Sequence, residues 1–388
     1  MADEVAATAL WTLVEEAEIE ALAGGLSDMQ RFAVGGATVV LGTLGSVIIT
    51  AAGDALGDSG VWSAEEVRLV GEVPAPVTKR LLGDLEAWGA DESSLPIHLA
   101  VRVAEGLLYL GTGRRRRAHI MEPPDGGGPA LTSCGLGLDT QLSRPVLERV
   151  RPIAPAPDLP GLGWLEHVDG DRAAALEQFV TGWYPAADQP QPQPRHPSSA
   201  PAGPRSLPGR LQQLYLLAEQ RPVVLGRHNH ILPWHEVSTD LLGELLVFGA
   251  ENQGGFYWGL PWILDEPQDD PDVWFCVFDE KPIAEQEPLS GFLLQFSLFE
   301  AAMSADYVGH AHSLSDRQVA QLTAPLQHVP LRPFWPQTRT RFYVAPGLVL
   351  YVADSLNDGK FDLLAGATNR SALQALPESD VKWNRFDG

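Results

Sequence analysis

The chain has 388 residues, 45% of them hydrophobic, with 38 glycines and 32 prolines. That length excludes one small domain, and the apolar content excludes global disorder. Its 50 Asp and Glu against 27 Lys and Arg give a formal charge of -23, which repels phosphate backbones and anionic lipid, argues against a direct nucleic-acid ligand, and attracts basic partners at long range.

Two cysteines, Cys134 and Cys276, are too few for a disulfide framework and form no metal-type pair, which fits a reducing cytoplasm. The opening Met1-Ala2-Asp3-Glu4, followed by Glu15, Glu16, Glu18 and Glu20, lacks the basic and apolar regions of a secretory signal. A cytoplasmic location is the expectation.

In chain order, Val5 to Leu22 carries apolar residues near helical spacing and stops at Gly24-Gly25, predicting a first helix. Ala33 to Ala52 is uncharged and long enough to cross a bilayer. Its β-branched clusters, Thr38-Val39-Val40-Leu41 and Val47-Ile48-Ile49-Thr50, are split by glycine, and no basic cluster flanks the run, so two buried strands are expected instead of a membrane span. Pro74 to Trp88 reads as a second helix. Ile97 to Val103, the Glu105-Gly106 turn and Leu107 to Leu110 read as a hairpin. Arg114 to Arg117 is expected to be a solvated loop after that hairpin, and Gly126-Gly127-Gly128 another loop. The fold class of this N-terminal part, residues 1–151, is α+β.

Prolines 152, 155, 157 and 160 break regular structure and mark a linker over 152–163, with a second domain over 164–388. Within it, the Gln-Pro steps of 185–206 predict a surface insertion between a helix at Ala173–Trp183 and another at Pro208–Glu219. From Leu241 the period changes to two. Strands are expected at Leu245–Phe248, Gly255–Trp258 and Val273–Phe278, then a helix at Leu289–Met303, then strands at Phe342–Val344, Leu348–Val352 and Phe361–Ala365. A mostly antiparallel sheet flanked by helices follows from this order.

The second domain also carries an ordered series of motifs: Ala175-Leu176-Glu177-Gln178-Phe179 ending in Trp183-Tyr184; Leu207-Pro208 through Leu216-Leu217-Ala218; Ile231-Leu232-Pro233; Leu246 to Gly254 running into Tyr257-Trp258; Asp269-Asp270-Pro271-Asp272-Val273-Trp274; and Leu289 to Leu294 with Phe299-Glu300-Ala301. Over residues of about 172–386 this series resembles the SUKH superfamily, the Smi/Knr-type fold common among bacterial immunity proteins. The Pro-rich insertion and Asp272, where the family often has a second proline, depart from the pattern. The resemblance implies a protein that neutralises a cognate toxin, such as a basic nuclease domain, by direct binding. A regulatory adaptor recruiting a cellular protein is one alternative, and an enzyme of unknown class in the N-terminal part is another.

The expected partner-binding residues combine aromatic anchors with carboxylates that capture Arg and Lys: Glu251, Asn252, Tyr257, Trp258, Trp262, Asp265, Glu266, Asp269, Asp270 and Trp274. Against this, Glu251-Asn252-Gln253-Gly254 suffices as a structural turn, and about half of the aromatics in such strands face a core. His228, His230 and His235, and likewise His310 and His312, have a ligand-like spacing without a third ligand, so exposed loop histidines are expected. Cys134, with His98 or His119 as a distant base, lacks any thiol-enzyme signature, and Cys276 reads as a core residue. A phosphate loop, a dinucleotide fingerprint and a serine elbow are all missing. No catalytic residue, cofactor, metal, nucleic acid or membrane partner is expected.

Overall fold

The computed structural model describes residues 10–25, 29–53, 58–82, 95–121, 130–153, 158–188, 207–262, 268–336, 339–355, 359–377 and 381–388, without the side chains of 117–121, 130 and 131. The triple glycine at 126–128 lies outside the described residues. The chain is α+β and divides into two units, Met1–Ala154 with Asp387, and Pro155–Phe386 with Gly388.

In the first unit, β-branched residues separated by tight turns build one nine-stranded sheet from β1 (Leu13–Val14), β2 (Gln30–Val34), β3 (Ala37–Leu41), β4 (Ser46–Ala51), β5 (Gly60–Ser63), β6 (Glu66–Val70), β7 (Ile97–Val103), β8 (Gly106–Met121) and β9 (Ala130–Leu138). Its order is β2-β3-β4-β7-β8-β9-β6-β5, with β1 paired to β8; only β4 and β7 run parallel. Helices α1 (Glu16–Ala21), α2 (Ala75–Leu82) and α3 (Arg144–Val150) complete it. Val39, Leu41 and Ile48 face a core shared with Val77, Leu81, Leu147 and Val150 of α2 and α3. Val40, Val47 and Ile49 face a second one around Ile19 of α1. Burial on both faces explains why Ala33 to Ala52 reads as one apolar run, and among the described residues no helix is long and apolar enough to cross a membrane.

Two expectations are corrected here. Of the helix expected over Val5 to Leu22, residues 5–9 lie outside the described residues and the rest is helical over Glu16–Ala21, because Trp11 turns the chain with φ of 61° and Leu13–Val14 pair with Leu108 and Leu107. Residues 114–117 are not a loop: β8 runs on through them to Met121, paired with β9. Arg114 is 3.0 Å from Asp139 and Arg116 is 3.2 Å from Glu65.

The second unit contains α4 (Arg172–Trp183), α5 (Gly209–Gln220), α6 (Leu289–Met303) and α7 (Asp316–Thr323). Its strands sort into two antiparallel sheets. One has the order β10-β12-β13-β14-β15, with β11 also paired to β12: β10 (His230–Ile231), β11 (Ser238–Thr239), β12 (Leu245–Ala250), β13 (Phe256–Pro261), β14 (Asp272–Val277) and β15 (Ile283–Pro288). The other has the order β17-β18-β19-β20-β16-β21: β16 (Tyr307–Leu314), β17 (Gln327–Val329), β18 (Arg341–Ala345), β19 (Leu348–Asp354), β20 (Phe361–Ala367) and β21 (Arg385–Phe386).

Helix α6 is apolar nearly all round, as a core helix must be. It contacts β14 and β15 of the first of these sheets, β19 and β20 of the other, and α4 and α5. The backbone of β20 comes so close that a Cβ at Gly366 would lie 2.6 Å from the Ala301 carbonyl oxygen, so only glycine fits there.

Candidate functional site

Successive side chains of a strand point to opposite faces of its sheet, and this alternation sorts the expected aromatic anchors. On β12 to β14, Leu246, Phe248, Trp258, Leu260, Val273 and Phe275 join the core around α6. Trp258 is 1% exposed, its ring 5.4 Å from that of Phe292 and 6.1 Å from that of Phe296, and its Nε1 donates to Glu285 Oε1 at 3.3 Å. Trp258 is therefore a core residue and no partner anchor: Tyr257 and Trp258 are consecutive, and only one can face outward. Trp262 is partly buried against the same core.

The opposite face is a different surface. Register places Val247, Gly259, Trp274 and Ala284 in one row across four strands, and Tyr257 beside Cys276 in the next. Phe278 follows at the end of β14, 65% exposed, its ring 5.7 Å from that of Tyr257. Gly259 leaves a flat spot over which Leu245 lies. Tyr257 and Trp274, both half-buried, and the exposed Phe278 thus lie on one aromatic face turned away from the core cluster, in which they have no place. Burial, with Cys276 next, raises the Tyr257 hydroxyl pKa, so the ring stays neutral and its O–H remains a donor.

The carboxylates divide as well. Both Asp270 oxygens are engaged at the first turn of α6, accepting from the Ser290 amide and Oγ at 2.7 Å each. Asp269 sits 3.5 Å from Arg210 Nε at the start of α5. A negative charge at a helix N-terminus is a stabilising placement, so Asp270, expected to be partner-binding, instead holds the fold. Glu251 Oε2 accepts the amides of Gln253 and Gly255 at 2.8 and 3.0 Å, making the Glu251–Gly254 segment a self-supported turn with Asn252 exposed at its tip. Asp265 and Glu266 lie outside the described residues. Asp272, Asp279 and Glu280 are exposed. From His228 to Glu280 the sequence holds eleven carboxylates and no lysine or arginine, so the stretch that builds most of this sheet is strongly acidic.

One surface feature escaped sequence reading. The turn between β11 and β12 carries Leu241 and Leu242, 106% and 78% exposed. Two leucines inside an Asp-Leu-Leu-Gly-Glu turn are the signal that was available.

Cys134 is fully buried and its thiol is pushed up to about 12 by that burial, which removes the nucleophile reading. Cys276 is buried too, its thiol raised to about 11 by desolvation. His310 and His312 lie on β16, not in a loop, with ring centroids 4.1 Å apart and His312 Nδ1 3.2 Å from Asp362. Among the described residues no three His, Cys, Asp or Glu are grouped to hold a metal ion. A cavity of about 720 Å³ opens beside the C-terminal ends of α4 and α6, lined by Trp183, Arg221, Arg227 and Glu300. The Glu300 carboxylate is occupied by the amides of Arg227, His228 and Asn229, each at 2.8 Å, and is a structural anchor. No protein-family model, curated protein sequence or solved structure matches the chain.

Proposed function

We propose that the chain is a non-enzymatic binding protein that grips a basic protein through the outward face of the β12–β15 sheet. The observation that carries this reading is the set Tyr257, Trp274 and Phe278 on one face, inside a stretch with eleven carboxylates and no lysine or arginine. Large amphipathic rings supply contact area with few torsions to freeze, and an excess of carboxylates speeds encounter with a cation-rich partner. The SUKH-type resemblance makes that partner a toxin domain, such as a nuclease, whose active site the bound chain occludes. The two cysteines, buried in different units as free thiols, are in keeping with action in the cytoplasm.

The test is affinity capture from the native host with the full chain and its W274A/F278A variant, followed by mass spectrometry. The reading expects an alkaline protein held by the wild type, released by rising salt and absent from the variant. Identical captures by both proteins would refute it.

A further inference from the structure

We infer that the Asp240–Glu244 turn is the anchoring point of this interface, and that it engages a cationic amphipathic segment in which apolar side chains alternate with Arg or Lys. The inference rests on the reading above and names the contact and the partner chemistry.

Leu241 and Leu242 stand at 106% and 78% exposure, so neither holds any part of the fold together. Yet the turn that displays them is firmly built. The Asp240 amide donates to the Leu245 carbonyl at 2.8 Å, and the Gly243 amide to the Asp240 carbonyl at 3.1 Å. Asp240 Oδ1 accepts from the amides of Glu244 and Leu245 at 2.8 and 3.1 Å, and the Trp262 amide donates to the Glu244 carbonyl at 2.8 Å. Gly243 takes the left-handed backbone conformation the reversal needs, with φ of 73°. Two unpacked apolar side chains carried on a fixed backbone are displayed for burial by something else, since little backbone order remains to be lost on binding.

Charge selects what covers them. Asp240 and Glu244 flank the pair, Glu236 precedes it, and the nearest lysine or arginine on either side in sequence is Arg227 or Lys281. An anionic lipid surface is repelled by this field, and a purely apolar partner would leave those carboxylates poorly solvated. A segment that alternates leucine-like and arginine-like side chains satisfies both needs at once: its apolar side chains cover Leu241, Leu242 and the neighbouring Trp274 face, and its guanidinium groups meet the flanking carboxylates.

The test uses the full-length chain and a short fluorescein-labelled peptide of alternating Leu and Arg, read by fluorescence anisotropy. A Ser/Arg peptide, a Leu/Glu peptide and phosphatidylcholine vesicles serve as comparison probes. The expected result is binding of the Leu/Arg peptide alone, weakened at least about tenfold by L241S/L242S with the thermal midpoint unchanged, and weakened also by W274A/F278A. If W274A/F278A abolishes binding while L241S/L242S binds like wild type, the turn is no anchor and the sheet-face reading survives by itself. Peptide binding indifferent to both variants, equal binding of the Ser/Arg peptide, no peptide binding, or uptake by the vesicles instead would each overturn the inference; indifference to both variants also counts against the sheet-face reading.

Discussion

Glu285 gives the second unit a pH-dependent stability that can be worked out from its surroundings. It is 6% exposed, with Oε1 accepting from Trp258 Nε1 at 3.3 Å and Oε2 from the Trp335 amide at 3.1 Å. Burial raises its carboxyl from the ordinary 4.5 to about 7, the two N–H donors only partly offsetting that rise. Between those two values the folded chain keeps a proton that the unfolded chain has released. The contribution to stability is therefore complete below 4.5, falls by about 1.4 kcal/mol per pH unit, and is lost once the pH has risen through 7. Integrated from pH 5 to pH 8 the loss is roughly 2–3 kcal/mol. Glu285→Gln cannot ionise and lacks this decline. It also sets an amide N–H against one of the two donors, a cost of roughly 1–2 kcal/mol that does not depend on pH. The informative quantity is thus the wild-type-minus-variant difference in unfolding free energy, measured by urea denaturation at pH 5 and pH 8. That difference should shift by roughly 2–3 kcal/mol in favour of the variant at the higher pH. A difference constant to within about 0.5 kcal/mol would refute the buried-carboxyl argument.

Further outcomes follow from the same packing. Trp258→Ala removes a fully buried ring from among Phe292, Phe296 and Phe256 and should cost about 3–5 kcal/mol in chemical denaturation; a loss below about 1 kcal/mol would return Trp258 to the surface. Asp270→Ala strips the anchor from the Ser290 amide and hydroxyl and should lower stability by about 1–2 kcal/mol, whereas Phe278→Ser should stay within about 0.5 kcal/mol of wild type. Cys134, its thiol pushed up to about 12, should resist iodoacetamide at pH 8 in the folded chain and react only after unfolding; rapid labelling of the native protein would contradict its burial.

Much of the second unit was readable from the residues because its elements are locally consistent. Helix α6 is a fifteen-residue apolar run, too long for a strand and bare of internal breakers other than Gly291, and strands β18 and β19 are rich in valine and aromatic residues, so length and propensity point to the right elements. What escaped depended on distant partners. Leu13 and Val14 sit in a helix-like pattern but are claimed by Leu108 and Leu107 across the sheet. Arg114 to Arg117 look like a solvated run, yet β9 supplies their ladder. Strand β16, with His310 and His312 between small residues and a bulge before Leu314, has no clean alternation to announce it. At the site, alternation alone says that Tyr257 and Trp258 part company but not which of them is buried; the packing of α6 against the sheet decides that. Nor does the Asp269-Asp270 pair reveal its duty, because the helix starts it serves, at Arg210 and Ser290, are fixed only when the chain folds back.

The most direct test of the central claim is hydroxyl-radical footprinting of the full chain, alone and with its captured partner, read at individual side chains. Strong protection of Tyr257, Trp274 and Phe278, with Leu10 and Leu44 of the first unit labelled equally in both samples, is the predicted pattern. Unchanged labelling of those three rings in a verified complex would place the grip elsewhere on the molecule.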